Sequence, residues 1–181
     1  MPSWSKIARR IRVPLGFVFA VLYVWLARPT KFSILVGAII ALVGLVIRAL
    51  ASGHVQKNEV LATSGPYAYT RNPLYLGSIV MAGGFLIAAR NWWIALIAFI
   101  IFFVIYLPVI RSEEAFLSSR FPEYDEYTRN VPRFFPRIRP NQSGTGSFSW
   151  HLYWKHREYN AALGVLGMTA VLVIKLIWFT K

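Results

Sequence analysis

The chain alternates long apolar blocks with shorter polar segments. The apolar blocks lie at residues 13–27, 32–51, 74–89, 91–110 and 161–179. A helix that crosses a bilayer needs about 20 mostly apolar residues, so each block predicts one membrane span. The pattern therefore predicts an all-α, polytopic membrane protein with about five transmembrane helices in a single membrane domain, residues 1–181. Pro108, near the end of the fourth block, predicts a kink in that helix.

The polar segments differ in composition. Residues 61–77 and 111–140 carry most of the residues suited to binding or catalysis. Residues 141–149 are rich in glycine and serine, which is typical of a linker. Residues 150–160 mix aromatic with charged side chains and predict a helix lying at the membrane interface.

The charges are distributed unevenly between the two sides of this arrangement. The chain has 20 basic and 7 acidic residues, and charged residues make up 15% of it, against about 25% in soluble domains. With the N-terminus inside, most basic residues fall on the cytoplasmic side, which agrees with the positive-inside rule. All seven acidic residues fall on the same side. We therefore expect the N-terminus and the segments suited to binding or catalysis, residues 61–77 and 111–140, to be cytoplasmic. Contact with anionic membrane lipids explains the basic charge, and no nucleic-acid partner is expected.

Cysteine is absent from the sequence. This excludes disulfides, thiolate metal sites and cysteine nucleophiles. His151 and His156 are five residues apart, so they do not share a helix face, and no metal site is expected.

The segment Thr63-Ser-Gly-Pro-Tyr-Ala-Tyr-Thr-Arg-Asn-Pro-Leu-Tyr-Leu-Gly77 predicts a turn followed by a helix start. Asn72 suits the N-cap position, and Pro73 suits the first helical position. The free N–H groups of such a helix end can hold a carboxylate or phosphate, and Arg71 lies beside it. Capping alone by Asn72 and an aromatic belt of tyrosines are the simpler interpretations.

The segment from Arg111 to Pro136 places Glu113 and Glu114 where the fourth apolar block ends. Tyr124 and Tyr127 are three residues apart and share a helix face. Carboxylates and tyrosines against an apolar bundle could face an organic cation, whereas glutamates at a membrane exit are also commonly solvated.

Together these segments resemble a known family. The pattern Ser-Gly-Pro-Tyr-x-Tyr-x-Arg-x-Pro-x-Tyr-x-Gly, followed by Glu-Glu-x-x-Leu, Tyr-x-x-Tyr and Val-Pro-Arg-x-x-Pro, resembles the isoprenylcysteine carboxyl methyltransferases and the related phospholipid methyltransferases. The resemblance covers about Leu61 to Pro136. It implies a membrane enzyme that uses S-adenosyl-L-methionine in a cytosol-facing pocket to methylate a carboxylate, amine or hydroxyl of a lipid or amphiphile.

The resemblance also implies roles for individual residues. The expected cofactor-binding residues are Tyr67, Arg71, Asn72, Tyr75, Gly77, Glu113, Tyr124 and Tyr127. Arg133 is the candidate for holding a carboxylate acceptor, because guanidinium pairs with carboxylate bidentately. Glu114 is the candidate base for an amine or phenol acceptor.

The chain departs from the family pattern at three places. Asn72 stands where the family usually has histidine, and Phe121-Pro122 replaces a Phe-Gly pair. Residues 141–181 have no family role. Two other functions stay open: an NADPH-dependent membrane reductase of the sterol-reductase type, and a non-catalytic membrane scaffold.

Overall fold

The computed structural model describes residues 4–56, 59–141, 144 and 146–179, and in these ranges it is all-helical, without strands, which confirms the predicted fold class. A 3-10 turn covers Gly65–Ala68, and a π-helical turn, Phe102–Tyr106, joins α4 to α5. The helices are α1 (Trp4–Leu26), α2 (Lys31–Ser52), α3 (Pro73–Ala89), α4 (Trp92–Ile101), α5 (Leu107–Arg120), α6 (Tyr124–Asn130), α7 (Trp150–Lys155) and α8 (Tyr159–Phe179).

Within the described ranges, three helical stretches are long and apolar enough to cross a membrane: Lys31–Ser52, Trp92–Arg120 and Tyr159–Trp178. Pro73–Ala89 is a shorter apolar helix. Helix α1 begins at Trp4, nine residues before the predicted apolar block, so its first turns carry the basic residues that precede that block. The count of five spans and the cytoplasmic orientation stay predictions.

Helices α2 and α3 pack closely along a row of small residues. Gly37 faces Gly84, and Gly44 faces Gly77. A Cβ atom built on Gly77 would lie 2.7 Å from the Gly44 carbonyl oxygen and 2.6 Å from Cγ of Arg48. Such small-residue contacts let two helix backbones approach within an apolar environment. They hold α3, and hence its N-terminus, in a set position against α2.

A π-helical turn, Phe102–Tyr106, lies just before Pro108, where the sequence predicts a kink. Proline has no N–H to donate, so it frees the carbonyl of the residue four positions earlier, which is Val104. The indole Nε1 of Trp4 donates to that oxygen at 2.9 Å. The first turn of α1 is thereby tied to the interrupted helix.

Helices α1 and α3 meet at one end of the bundle and separate towards the other. Tyr23 donates its hydroxyl to the Phe85 carbonyl at 2.7 Å, and the Arg28 N–H donates to the Ala89 carbonyl at 2.8 Å. Near its start, α1 packs instead against the π-helical turn and α5, where Ala8 is buried. The separation leaves a space between α1 and α3.

The other end, which we call the polar end, is formed by the described residues of 53–72 and 121–149. Residues 132–141 run antiparallel to residues 68–71 there: the Arg71 N–H donates to the Pro132 carbonyl at 2.9 Å, and the Arg137 N–H to the Tyr69 carbonyl at 3.0 Å. This pairing joins the two motif-bearing segments that the sequence analysis singled out.

The linker and interfacial helix differ in detail from expectation. The Ser149 N–H donates to the Gly53 carbonyl at 2.9 Å, so the end of linker 141–149 is packed on the loop after α2; residues 142, 143 and 145 lie outside the described part. The single helix expected over 150–160 is interrupted. Arg157 adopts a left-handed conformation (φ 53°) that separates α7 from α8, because such a backbone cannot continue an α-helix.

Candidate functional site

A cavity of about 1190 Å³ lies between α1, α3, the α4–α5 helix and the polar end. Sites for one small molecule usually occupy about 300–1,000 Å³, so this volume leaves room for two reactants. Seven of the eight predicted cofactor-binding residues line it: Tyr67, Arg71, Asn72, Tyr75, Glu113, Tyr124 and Tyr127. Segments that are distant in sequence thus meet at one cavity.

Gly77 is not among the residues that line the cavity. The structure places it in the α2–α3 contact, against Gly44 and Arg48. Its lack of a side chain serves helix packing at that position, and its contact with a cofactor stays a prediction.

The start of α3 follows the predicted pattern in part. Asn72 occupies the N-cap position and Pro73 the first helical position, but the Asn72 side chain makes no capping hydrogen bond. Its amide instead donates to Oε1 of Glu114 at 2.8 Å and to the Arg133 carbonyl at 3.4 Å. The side chain therefore bridges the two motif-bearing segments, and the simpler interpretation of capping alone is wrong.

Glu114 is the centre of a charged cluster behind the cavity wall. It is 8% exposed, and Nε of Arg133 donates to both of its carboxylate oxygens at 3.1 and 2.9 Å. These hydrogen bonds raise the pKa of Arg133 above its ordinary value. Neither residue is among those lining the cavity, so the two predicted catalytic residues pair with each other, and their catalytic roles stay predictions.

Two buried polar atoms in the described residues have no hydrogen-bond partner: Nε of Arg71 and the hydroxyl of Tyr124. Arg71 Nε lies 3.9 Å from Oε1 of Glu114, close enough for charge attraction but too far for a hydrogen bond. Leaving such atoms unpaired costs about 1–3 kcal/mol each. Because both residues line the cavity, the unpaired atoms point to a ligand that would satisfy them.

The buried tyrosines are neutral hydrogen-bonding groups. Tyr127 donates its hydroxyl to the Tyr67 carbonyl at 2.7 Å. Burial raises the pKa of Tyr124 to about 12, and burial also raises the pKa of Tyr67 and Tyr127. At neutral pH these phenols can donate or accept hydrogen bonds, but they do not serve as bases.

The cavity wall is mainly basic at its charged positions. Four arginines, Arg9, Arg12, Arg48 and Arg71, line it. Glu113, which accepts a hydrogen bond from the Tyr75 hydroxyl at 3.0 Å, is the one acidic residue among the described lining residues.

The sequence did not point to Arg9, Arg12 or Arg48 as site residues. Arg9 and Arg12 lie among the basic residues before the first apolar block, which the positive-inside rule already explains. The available signal was that Arg48 is the one charge inside an otherwise apolar block of full length.

Comparison with known proteins identifies one matching family and several relatives. The model of a phospholipid methyltransferase family matches residues 15–124. The cobalt-zinc-cadmium resistance protein CzcN of Cupriavidus metallidurans is 34% identical over 138 residues, which cover 76% of this chain and 62% of that protein. The nickel-cobalt-cadmium resistance protein NccN of Alcaligenes xylosoxydans xylosoxydans is 34% identical over 148 residues, 81% of this chain and 68% of that protein.

An enzyme is also among the relatives. The protein-S-isoprenylcysteine O-methyltransferase of Schizosaccharomyces pombe is 27% identical over 146 residues, 75% of this chain and 60% of that enzyme. The match thus spans only about three fifths of the length of the first and third of these relatives. No solved structure matches the chain.

Proposed function

The chain belongs to the phospholipid methyltransferase family, and from this membership we propose that it is a membrane methyltransferase that uses S-adenosyl-L-methionine to methylate an amphiphile. The family match confirms the resemblance carried by the motifs between Leu61 and Pro136. The proposed role of the cavity rests on which of its side chains could bind S-adenosylmethionine and which could bind the acceptor.

The observation that carries the proposal is the pair of unpaired polar atoms in the cavity wall. Arg71 Nε and the free N–H groups at the start of α3 suit the carboxylate of S-adenosylmethionine, by charge and by helix-end hydrogen bonding. The Tyr124 hydroxyl suits a further polar group of the same molecule. Glu113 suits its cationic part, because it is the acidic group on the cavity surface in the described residues.

The acceptor is proposed to be an anionic amphiphile. Apolar side chains of α1, α3 and α4, among them Phe17, Ile79 and Ile101, line the part of the cavity between the separated helices, where a hydrocarbon chain can lie against them. Arg48 is paired with Glu158, and Arg71 is assigned to the cofactor carboxylate. Arg9 and Arg12 are therefore the lining groups that favour a negatively charged head.

A carboxylate acceptor fits the hydrogen bonding of the site. When bound, S-adenosylmethionine would supply a methyl group whose bond to sulfur breaks as a bond to the acceptor's carboxylate oxygen forms, so that S-adenosylhomocysteine leaves and no proton is transferred. The protein then needs no free base, which agrees with a Glu114 carboxylate already held by Arg133 and Asn72. The work left to the protein is alignment, which can supply about 7–11 kcal/mol of a barrier.

Glu114 and Arg133 are proposed to act together as the support of this site. The Glu114 carboxylate binds Arg133 and Asn72 and attracts Arg71. It thus holds two cavity-lining side chains in place from behind. A role as base would require Glu114 to leave this cluster.

The test is a titration of the purified, detergent-solubilised protein by calorimetry. We expect S-adenosylmethionine and S-adenosylhomocysteine to bind and NADPH not to bind. Binding of NADPH alone would support a reductase, and binding of none of the three would support a scaffold; either result would refute the proposal. A scan of carboxylate, amine and hydroxyl amphiphiles with radiolabelled methyl donor then tests the acceptor class.

A further inference from the structure

All three guanidinium nitrogens of Arg48 donate hydrogen bonds, although this residue lies in an apolar helix. Its Nε and Nη2 bind the two carboxylate oxygens of Glu158, the second at 3.0 Å. Its Nη1 donates to the Ser78 hydroxyl at 2.6 Å and to the Leu74 carbonyl at 3.3 Å. Arg48 therefore connects the start of α8 to the first turns of α3, and it also lines the cavity.

The turn that carries Glu158 is built to face α2. The His156 ring nitrogen Nδ1 lies 3.1 Å from the Ser52 carbonyl oxygen. Arg157, a non-glycine residue, holds a left-handed backbone (φ 53°), a conformation that costs energy in an L-residue. Glu158 follows directly and is 8% exposed. The pair is thus bidentate and partly buried, with a buried carboxylate that follows an unfavourable backbone conformation.

Glu158 lies outside the part of the chain that matches the family model, residues 15–124. The contacts of Arg48 nevertheless reach Leu74 and Ser78 in the first two turns of α3, whose N-cap residue Asn72 is a proposed cofactor-binding position. The C-terminal segment is thus in contact with the site through one side chain.

We propose that Glu158 is a positioning residue for the cofactor site: it holds the fork of Arg48 so that Nη1 fixes the first turn of α3, whose N-terminus takes the cofactor carboxylate. The inference rests on the proposed function. It makes the α7–α8 segment a working part of the site, and it assigns to Glu158 an effect on ligand affinity beyond its effect on folding.

The test compares three variants by calorimetric titration with S-adenosylhomocysteine, each purified as a monodisperse folded protein. Glu158→Gln keeps the shape but removes the charge and one of the two acceptors. The double variant Arg48→Met with Glu158→Met replaces the pair by apolar groups of similar volume, which is often neutral or stabilising for a buried ion pair. Glu59→Gln is the matched control, since Glu59 forms an exposed ion pair with Lys155.

We expect Glu158→Gln to raise Kd by about tenfold or more, which corresponds to 1.4 kcal/mol, and Glu59→Gln to leave it unchanged. The double variant should keep its thermal stability and still bind weakly. Wild-type affinity in the double variant would overturn the inference, because the pair would then serve stability alone. If the double variant does not fold, wild-type affinity in Glu158→Gln would overturn the inference.

The wild-type titration separates this inference from the proposed function. A wild-type protein that does not bind S-adenosylhomocysteine refutes both. A wild-type protein that binds it, together with a Glu158→Gln variant of equal affinity, refutes the positioning role alone.

Discussion

Tyr124 and Tyr127 provide a matched pair for testing the site. They lie three residues apart on α6 and both are buried, yet the Tyr127 hydroxyl donates to the Tyr67 carbonyl whereas the Tyr124 hydroxyl is unpaired in the described structure. Replacing each by phenylalanine removes one oxygen atom in either case. The two substitutions should therefore act on different quantities.

Tyr127→Phe should lower stability and Tyr124→Phe should lower ligand affinity. The first leaves the Tyr67 carbonyl without its donor, a loss of about 1–3 kcal/mol, and each kcal/mol lowers Tm by about 2–4 °C in a chain of this size. The second removes an unpaired buried group, so unfolding of the ligand-free protein should be unchanged or slightly harder. Losing one hydrogen bond to a ligand, about 0.5–1.5 kcal/mol, should raise Kd about 2- to 12-fold.

The assay measures thermal unfolding in detergent with and without S-adenosylhomocysteine, together with Kd by calorimetry. Two results would refute the reasoning. One is a Tyr124→Phe variant that loses as much ligand-free stability as Tyr127→Phe, which would mean that the Tyr124 hydroxyl already has a partner. The other is a Tyr124→Phe variant with the Kd of the wild type.

Two further predictions concern packing and the charged cluster. Gly77→Ala should destabilise the protein by about 1–3 kcal/mol, because its Cβ would lie 2.7 Å from a backbone oxygen, about 0.7 Å short of ordinary contact at 3.4 Å. Gly83→Ala should not destabilise it, because nothing lies within 4 Å of the added Cβ. Equal Tm values for the two variants would contradict the described packing. Glu114→Gln should weaken S-adenosylhomocysteine binding and lower Tm, because the buried partner of Arg133 loses its charge. Glu126→Gln, on the exposed face of α6, serves as the control. Unchanged binding by Glu114→Gln would show that the cluster does not support the site.

Much of the helical framework follows from local sequence. Blocks of apolar residues set the helices, and Asn72-Pro73 marks the first residue of α3 correctly, because capping and proline preferences depend on immediate neighbours. The helix that begins at Trp4 shows where this reasoning falls short. Hydropathy alone makes Val13 the first residue of the block. The helix begins earlier, at Trp4, and includes the basic turns, because arginine is a good helix former.

The partners of the charged residues could not be predicted in the same way. Arg48 pairs with Glu158 across 110 positions, and Asn72 reaches Glu114 across 42. Such pairs depend on how the helices pack, which no local pattern records. The role of Gly77 has a similar origin: a glycine in a motif is compatible with ligand contact or with close helix packing, and only the position of α2 distinguishes them.

The antiparallel pairing of residues 132–141 with residues 68–71 has a consequence for biogenesis. A chain is synthesised from its N-terminus, so α1 to α5 are made before the segment that completes the wall behind the cavity. A nascent chain that ends before Pro132 carries Glu114 without Arg133, and one that ends before α8 carries Arg48 without Glu158. Competence to bind the cofactor should therefore be acquired last, after the apolar helices have been made, and chains stopped at successive lengths would show that order.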